Sequence, residues 1–263
     1  MAFDFSIIID RFGRNSGGSI CVNIVDLDAL LFEIKARLES RDGFSVATLN
    51  LDHLVKLRRD QVFRAAYEEQ TYVTADGNPI VWLCKLAGQR VFLTPGSELI
   101  HPVAAIAARL NAPVALVGST DESLSGAASA LLKKHPSISI VAKVAPPMRF
   151  DATSSDVDAV IAEIKDSGAR LCFIALGAPK QELFASIAQS KLPEAGFISV
   201  GAGLDFLAET QKRAPLWMQN MALEWLWRLV NNPRRLFLRY TQSFFIFMFA
   251  IYKVVSAQKN KRE

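Results

Sequence analysis

Between residues 112 and 203 the chain alternates short apolar runs with helix-length amphipathic segments: "APVALVGS", "DESLSGAASALLKKH", "SISIVAKVAPP", "SSDVDAVIAEIKDSG", "ARLCFIALGAP", "KQELFASIAQS" and "GFISVGAG". No other feature limits the fold as strongly. Apolar runs that lack a polar alternation belong to strands buried on both faces, and helices between them serve as crossovers. The pattern predicts βαβ units, a parallel sheet with helices on both faces and right-handed connections. Pro136 ends the first of these helices, and a Ser cap and Gly168 bound the second.

The first hundred residues obey the same grammar less regularly. "SIIID" reads as a strand, followed by the loop "RFGRNSGGS". "DLDALLFEIKARLES" spaces Leu27, Leu30, Leu31, Ile34 and Leu38 as one face of a helix, with acids in its first turn. "FSVATLN" reads as a strand, "LDHLVKLRRDQVFRAAYEEQ" as one or two helices, and "TYVTADG" as a short strand ending in an Asp-Gly turn. "NPIVWLCKLAG" reads as a helix with Pro79 in its first turn and Gly88 as its stop.

Ligands of parallel α/β sheets bind at the carboxyl ends of the strands. Four such ends carry polar or glycine-rich groups. "ATLNLDH" offers Thr48, Asn50, Asp52 and His53; "TADGN" offers Asp76, Gly77 and Asn78; "LGAPKQE" offers Gly177, Lys180, Gln181 and Glu182; "GAGLDF" offers Gly201, Gly203 and Asp205. Each alone also serves as an ordinary helix cap, but four on one sheet edge favour a site. Glycines admit a ligand close to the backbone and helix N-termini favour anions, so a phosphate-bearing ligand fits.

Common alternatives lack their signatures. "GAGLDF" has no third glycine, and no Walker A lysine, G-x-S-x-G or C-x-x-C is present. His53, His101 and His135 share no metal-ligand spacing, so no metal site is expected. A carboxylate remains for acid–base work, and Asp76, in a turn bounded by Gly77, is placed to take a proton from an attacking hydroxyl. An ordinary Asp-Gly turn is the plain alternative. Cys21, Cys84 and Cys172 are far apart, and Cys172 sits in an apolar run as a buried structural thiol. With no secretory signal at the start, the chain reads as a reduced cytosolic protein.

Charge divides the chain. Residues 212–263 hold ten Lys/Arg against two acids, a charge of +8, which leaves −4 for residues 1–211. The expected organisation is an α/β core over 1–211 and a basic, aromatic helical appendage over 212–263. Such a tail suits an anionic partner: phospholipid headgroups, a diphosphate or nucleic acid. Its longest uncharged stretch, "YTQSFFIFMFAIY", is shorter than the roughly 20 residues of a span. With Trp217, Trp225 and Trp227 upstream it reads as lying in a membrane interface, the alternative being a core helix with a solvated basic end. No nucleic-acid reading motif is present, and the phenylalanine-rich run is more lipid-like than base-stacking, so nucleic acid is not expected.

Three stretches in order, "TLNLDHLVKLRRDQVFRAAYEEQTYVTADGNPIVW", "FIALGAPKQELF" and "GAGLDFLAETQKRAPLWMQNMALEWLWRLVNNPRRLFLRY", resemble the WecG/TagA/CpsF glycosyltransferases, glycosyltransferase family 26. The resemblance runs from about residue 5 to residue 240. It implies a Rossmann-like domain followed by a helical, membrane-docking appendage. It also implies inverting, metal-independent transfer of a sugar from a UDP-sugar to a polyprenyl-diphosphate-linked sugar on the inner face of the bacterial membrane, in cell-surface polysaccharide synthesis. No cofactor beyond the UDP-sugar donor is implied. The implied base is Asp76, with Thr48 and Asn50 beside it. Gln181 falls on the "PKQE" position, Asp205 near the nucleotide, and Arg228, Arg234, Arg235 and Arg239 face the acceptor or leaving diphosphate.

This chain has Leu49 where the family commonly has Pro, and Asn78–Pro79 where "DGIG" is common. Asn78 and Pro79 flank the implied base, so these departures bear on which sugar is used: N-acetylmannosamine, its uronic acid and glucose all occur in the family. A non-catalytic nucleotide-sugar-binding scaffold of a polysaccharide assembly complex is the alternative from another class. No oligomeric state follows from the sequence.

Overall fold

The computed structural model describes residues 2–10, 18–147, 149–211, 214, 215, 217, 218, 221, 224–231 and 233–260, without the side chains of Glu224, Arg228, Asn231, Arg235 and Asn260. Six parallel strands form one sheet in the order β2-β1-β6-β5-β3-β4. They are β1 Phe44–Leu49, β2 Tyr72–Ala75, β3 Val114–Gly118, β4 Ile140–Val144, β5 Leu171–Ala175 and β6 Gly196–Ser199. The register sets Thr48 beside Thr74 and Leu49 beside Ala75 on one side, and Val46 beside Ile198 on the other.

Alternate residues of each strand feed opposite layers, as strand geometry requires. Phe44, Val46, Leu116, Phe173 and Ile198 pack under α2 (Leu27–Ser40), α6 (Gly96–Arg109), α7 (Asp121–Lys134) and α10 (Gly203–Leu207). Ala115, Val117, Cys172, Ile174 and Phe197 pack under α8 (Asp156–Asp166) and α9 (Lys180–Lys191). At the β2 end a third cluster gathers α1 (Ser6–Ile9), α3 (Leu51–Leu57), α4 (Gln61–Glu68) and α5 (Asn78–Leu86). Cys172 is fully buried and burial pushes its thiol pKa up, as a structural thiol requires.

Two local expectations differ from the structure. The run "SIIID" is helical: Phe5, Ile8 and Ile9, at helical spacing, are all buried, and Asp4 Oδ1 accepts from Ser6 N at 2.8 Å. Three consecutive isoleucines carry no period that separates strand from helical turn. The sequence reading also passes over α6, because Pro95 stands before it and Pro102 inside it; its Leu99, Ile100, Val103 and Ala107 nevertheless form a buried face. At the start of α8 the N-cap residue, Ser155, makes no side-chain capping bond, and the serine contact comes one residue earlier, where Ser154 Oγ accepts from Asp156 N at 3.3 Å.

The chain ends in α11 (Glu224–Asn231) and the long α12 (Pro233–Asn260). The 24 residues from Leu236 to Lys259 contain an 18-residue window of mean hydropathy 1.2, so α12 is long and apolar enough to cross a membrane by length and composition. The helix is therefore longer than its uncharged stretch. Its packing decides its placement in the fold. Leu236, Ser243, Ile246, Ala250 and Val254 form one buried stripe, and the last three belong to the cluster with α1, α3 and α5. The opposite stripe exposes Phe237, Phe244, Met248, Tyr252 and Val255.

Candidate active site

The four strand ends singled out by the sequence belong to four adjacent strands, β2, β1, β6 and β5. Their carboxyl ends open into a cleft of about 1020 Å³ whose wall includes Thr48, Asn50, Asp76, Gly177, Gln181, Gly201 and Asp205. The opposite wall comes from the C-terminal helices: Trp227, Leu236, Arg239 and Tyr240.

Asp76 is held by local structure on both sides. Its N–H donates to Leu49 O at 2.8 Å, extending the β1–β2 pairing by one residue. Gly77 then turns the chain into α5, which has Pro79 in its first turn. Asn50 caps α3 by accepting from His53 N at 3.1 Å, and its Nδ2 donates to Asp76 Oδ2 at 3.3 Å. The cap fixes the amide, and the amide in turn orients the carboxylate. Thr48, one residue inside the strand, is buried at the cleft floor.

The glycine-bearing loops are tied together behind the cleft. Gly177 (φ +68°) and Gly201 (φ +55°) occupy the left-handed region with nothing within 4 Å of where a Cβ would sit, so conformation rather than crowding demands glycine there. Gly201 N donates to Gln181 Oε1 at 3.2 Å, and Gln181 Nε2 donates to Glu182 Oε1 at 2.8 Å. Ser119 Oγ donates to Asp205 Oδ1, and Gln211 Nε2 donates to Asp205 Oδ2 at 3.0 Å.

On the helix wall, Arg239 Nε lies 2.9 Å from Asp52 Oδ1. Lys56 Nζ lies 2.8 Å from Asp52 Oδ2 and donates to Ala178 O at 2.8 Å. One carboxylate thus holds two cations at the cleft edge and joins α12, α3 and the β5–α9 loop.

A family model described as the WecG/TagA/CpsF glycosyl transferase family matches residues 18–261. The chain belongs to that family. A relative in Bacillus subtilis (strain 168), an N-acetylglucosaminyldiphosphoundecaprenol N-acetyl-beta-D-mannosaminyltransferase, is 25% identical over 202 residues, covering 76% of this chain and 77% of the relative. The WecG/TagA/CpsF match extends beyond the quoted motifs and takes in all of α12.

Within this WecG/TagA/CpsF fold the expected site residues divide. Asp76, Thr48, Asn50, Gln181, Gly177, Gly201, Asp205 and Arg239 line one cleft. Asn78, Lys180, Gly203 and Arg234 are not among its lining residues. Gly203 answers a packing demand: a Cβ there would lie 2.6 Å from Ile100 Cδ1 and 3.2 Å from Ser97 Cα, so it lets α10 press on α6. Arg234 is exposed in the first turn of α12. The side chains of Arg228 and Arg235 lie outside the described residues.

Sequence reasoning offered Asp52 and His53 only as polar groups at a strand end, placed Trp227 in a membrane interface and gave Lys56 and Tyr240 no role, yet all five line the cleft. Lys56 was within reach of pattern reading, since it stands four residues after Asp52 on α3. His53 is buried among Phe63 and Tyr67, and burial holds its pKa down to about 3, with Asp52 opposing and Lys56 and Arg239 adding to the fall. Its imidazole is therefore neutral near pH 7. Glu182, fully buried behind Gln181, is pushed up to about 7 by burial, against the pull of the Gln181 hydrogen bond. Among the described residues no three His, Cys, Asp or Glu side chains converge as a metal site; the rings of His101 and His135 lie 5.6 Å apart, and neither residue lines the cleft.

Proposed function

We propose that this glycosyltransferase moves a sugar from a UDP-sugar to a polyprenyl-diphosphate-linked sugar, with inversion and without a metal, at the inner face of the cytoplasmic membrane. The observation that carries the proposal is the juxtaposition across one cleft of Asp76, oriented by Asn50, with the cations Arg239 and Lys56. An acceptor hydroxyl attacks the anomeric carbon from the side opposite UDP. The new C–O bond forms as the bond from carbon to the β-phosphate oxygen breaks, and Asp76 takes the hydroxyl proton. Charge developing on the departing diphosphate needs fixed donors, and a guanidinium supplies them in a two-pronged geometry. Arg239 would exchange its Asp52 partner for phosphate oxygens. The N-terminus of α6, with Gly96 and Ser97 in the cleft wall, adds backbone dipole on the same side as the glycine loops.

The relative's name supports N-acetylmannosamine as the first donor sugar to test and an N-acetylglucosaminyl diphosphate lipid as the first acceptor. The exposed aromatic stripe of α12 supports a peripheral position, since that helix already spends its other face on the α/β body. The test is UDP release from a panel of UDP-sugars with a short-chain polyprenyl-diphosphate-linked N-acetylglucosamine, with and without EDTA. Acceptor-dependent UDP release, unchanged by EDTA, is expected for one donor. Binding of donors without turnover of any would replace the proposal with a non-catalytic nucleotide-sugar scaffold.

A further inference from the structure

A second concavity, about 910 Å³, follows the seam between α3 and α12 on the side away from the cleft. α3 and the turn after it contribute to both: Asp52, His53 and Lys56 face the cleft, and Val55 with Arg58 and Arg59, just past the end of α3, face this groove. Across the groove, α12 presents Phe245, Phe249, Tyr252 and Lys253. The catalytic scheme uses none of these groups.

The groove is both cationic and aromatic. The Phe249 ring meets two cations, the Arg58 guanidinium 4.6 Å from its centroid and the Lys253 ammonium 5.6 Å from it. Arg59 donates to Gln242 Oε1 at 3.2 Å, which brings a third cation to the same wall. The carboxylate at the groove, Asp10, is engaged by Arg64, which also pairs with Glu68 at 2.8 Å. Among the described lining residues, three cations (Arg58, Arg59 and Lys253) accompany one carboxylate, Asp10.

Position on the helix adds independent support. At 3.6 residues per turn the groove residues of α12 fall on the flank between its buried stripe and its exposed apolar stripe. If the exposed stripe (Phe244, Met248, Tyr252, Val255) enters the acyl region, this flank lies at the level of the phosphates. Phe245 and Tyr252, 66% and 67% exposed, then border both the groove and the hydrocarbon.

We propose that the α3–α12 groove seats the phosphate headgroup of an anionic phospholipid, with Arg58, Arg59 and Lys253 around the phosphate and Phe245 and Tyr252 against the upper acyl chain. The proposal rests on the membrane-surface reading above and deepens it. Because α3 lines both the cleft and the groove, a seated headgroup fixes how far the cleft stands from the lipid phosphates. That places the cleft cations at a constant depth relative to a lipid-linked diphosphate.

The test is co-sedimentation of the full chain with phosphatidylglycerol or phosphatidylcholine vesicles at matched low salt. It compares wild type, the double variant Arg59→Gln/Lys253→Gln, and a charge-matched control, Lys85→Gln/Lys259→Gln, with melting curves to verify folding. Wild type should prefer phosphatidylglycerol. The groove variant should lose about five-fold per cation, on the order of 25-fold in all, on phosphatidylglycerol and little on phosphatidylcholine. The control should lose clearly less. Equal losses in variant and control would mean diffuse charge rather than a seat and would overturn the groove, as would wild-type affinity in the groove variant. Equal binding of wild type to both vesicles would overturn the headgroup preference, and binding to neither would remove the underlying membrane-surface reading.

Discussion

The sheet wall and the helix wall of the cleft are held in place by different forces. Asp76, Thr48 and Gly201 stand at or just beyond the ends of adjacent parallel strands, where ladder hydrogen bonds and a buried core fix the backbone. Arg239 and Tyr240 stand near the start of a helix whose firmest anchoring, by Ile246, Ala250 and Val254, lies two to four turns further on. One wall is organised locally. The other depends on a seam that also borders the lipid-side groove. The proton-accepting chemistry sits on the first wall and the diphosphate chemistry on the second, so damage to each should leave a different signature.

The largest effect is expected on the sheet wall. Asp76→Ala should lower kcat by about 10²–10⁴-fold, the usual contribution of a general base, while leaving the melting temperature and donor binding near wild type. Steady-state kinetics with calorimetric donor binding checks both. On the helix wall, Ile246→Ala should behave in the reverse sense. It opens a cavity in a buried seam and should cost about 2–5 kcal/mol of stability by urea unfolding, with a rise in acceptor KM greater than the fall in kcat. If Ile246→Ala affected kcat alone, the two walls would not be separable.

A smaller effect is expected for Arg239→Gln, which removes a charged donor but keeps the stem. Loss of about 1.5–3 kcal/mol of charge-assisted bonding predicts roughly a 10–100-fold fall in kcat/KM, with Arg239→Lys recovering only part because the fork is lost. Full recovery by lysine would argue for a point charge rather than a two-pronged contact.

The subtlest expectation concerns the buried groups behind the walls. Glu182 titrates at about 7 in the fold against an ordinary 4.5, so its contribution to stability is full below about 4.5 and falls as pH rises to about 7. His53, held down to about 3 from 6.5, contributes in the opposite sense: stability rises with pH from about 3 to 6.5. Between pH 4.5 and 6.5 the two slopes offset. Glu182→Gln removes one of them, so the stability of the variant relative to wild type should grow by about 1.4 kcal/mol per pH unit from pH 4.5 to 7 and be level on either side. Urea midpoints across that range test it, and a pH-independent difference would remove Glu182 as a titrating group.

The contrast between the walls also explains what the sequence made legible. Strand–turn–helix grammar located Asp76, Asn50, Gly177 and Gly201, because strand ends in a parallel sheet converge on one edge whatever the detailed packing. Gly203 and Gln181 show where that grammar stops. It cannot tell a glycine needed for α10 to touch α6 from one bordering a ligand, nor see that the Gln181 amide is engaged by Gly201 and Glu182. Arg239 was legible only through the family motif, since no local rule links it to Asp52, 187 positions earlier. The helix α6 was hidden by Pro95 and Pro102, and the turn α1 by a run of isoleucines without a period. The charge step at residue 212 marked the basic tail, yet it could not reveal that α12 shares a buried cluster with α1, α3 and α5.

A single displacement assisted by Asp76 is the central claim. Its most direct test is the anomeric configuration of the product, read by proton NMR after turnover of an α-linked UDP-sugar with the short-chain acceptor, alongside the UDP released. One β-linked product per UDP is the predicted result. An α-linked product would require two displacements or a front-face reaction, and would contradict Asp76 as the base of a single inverting step.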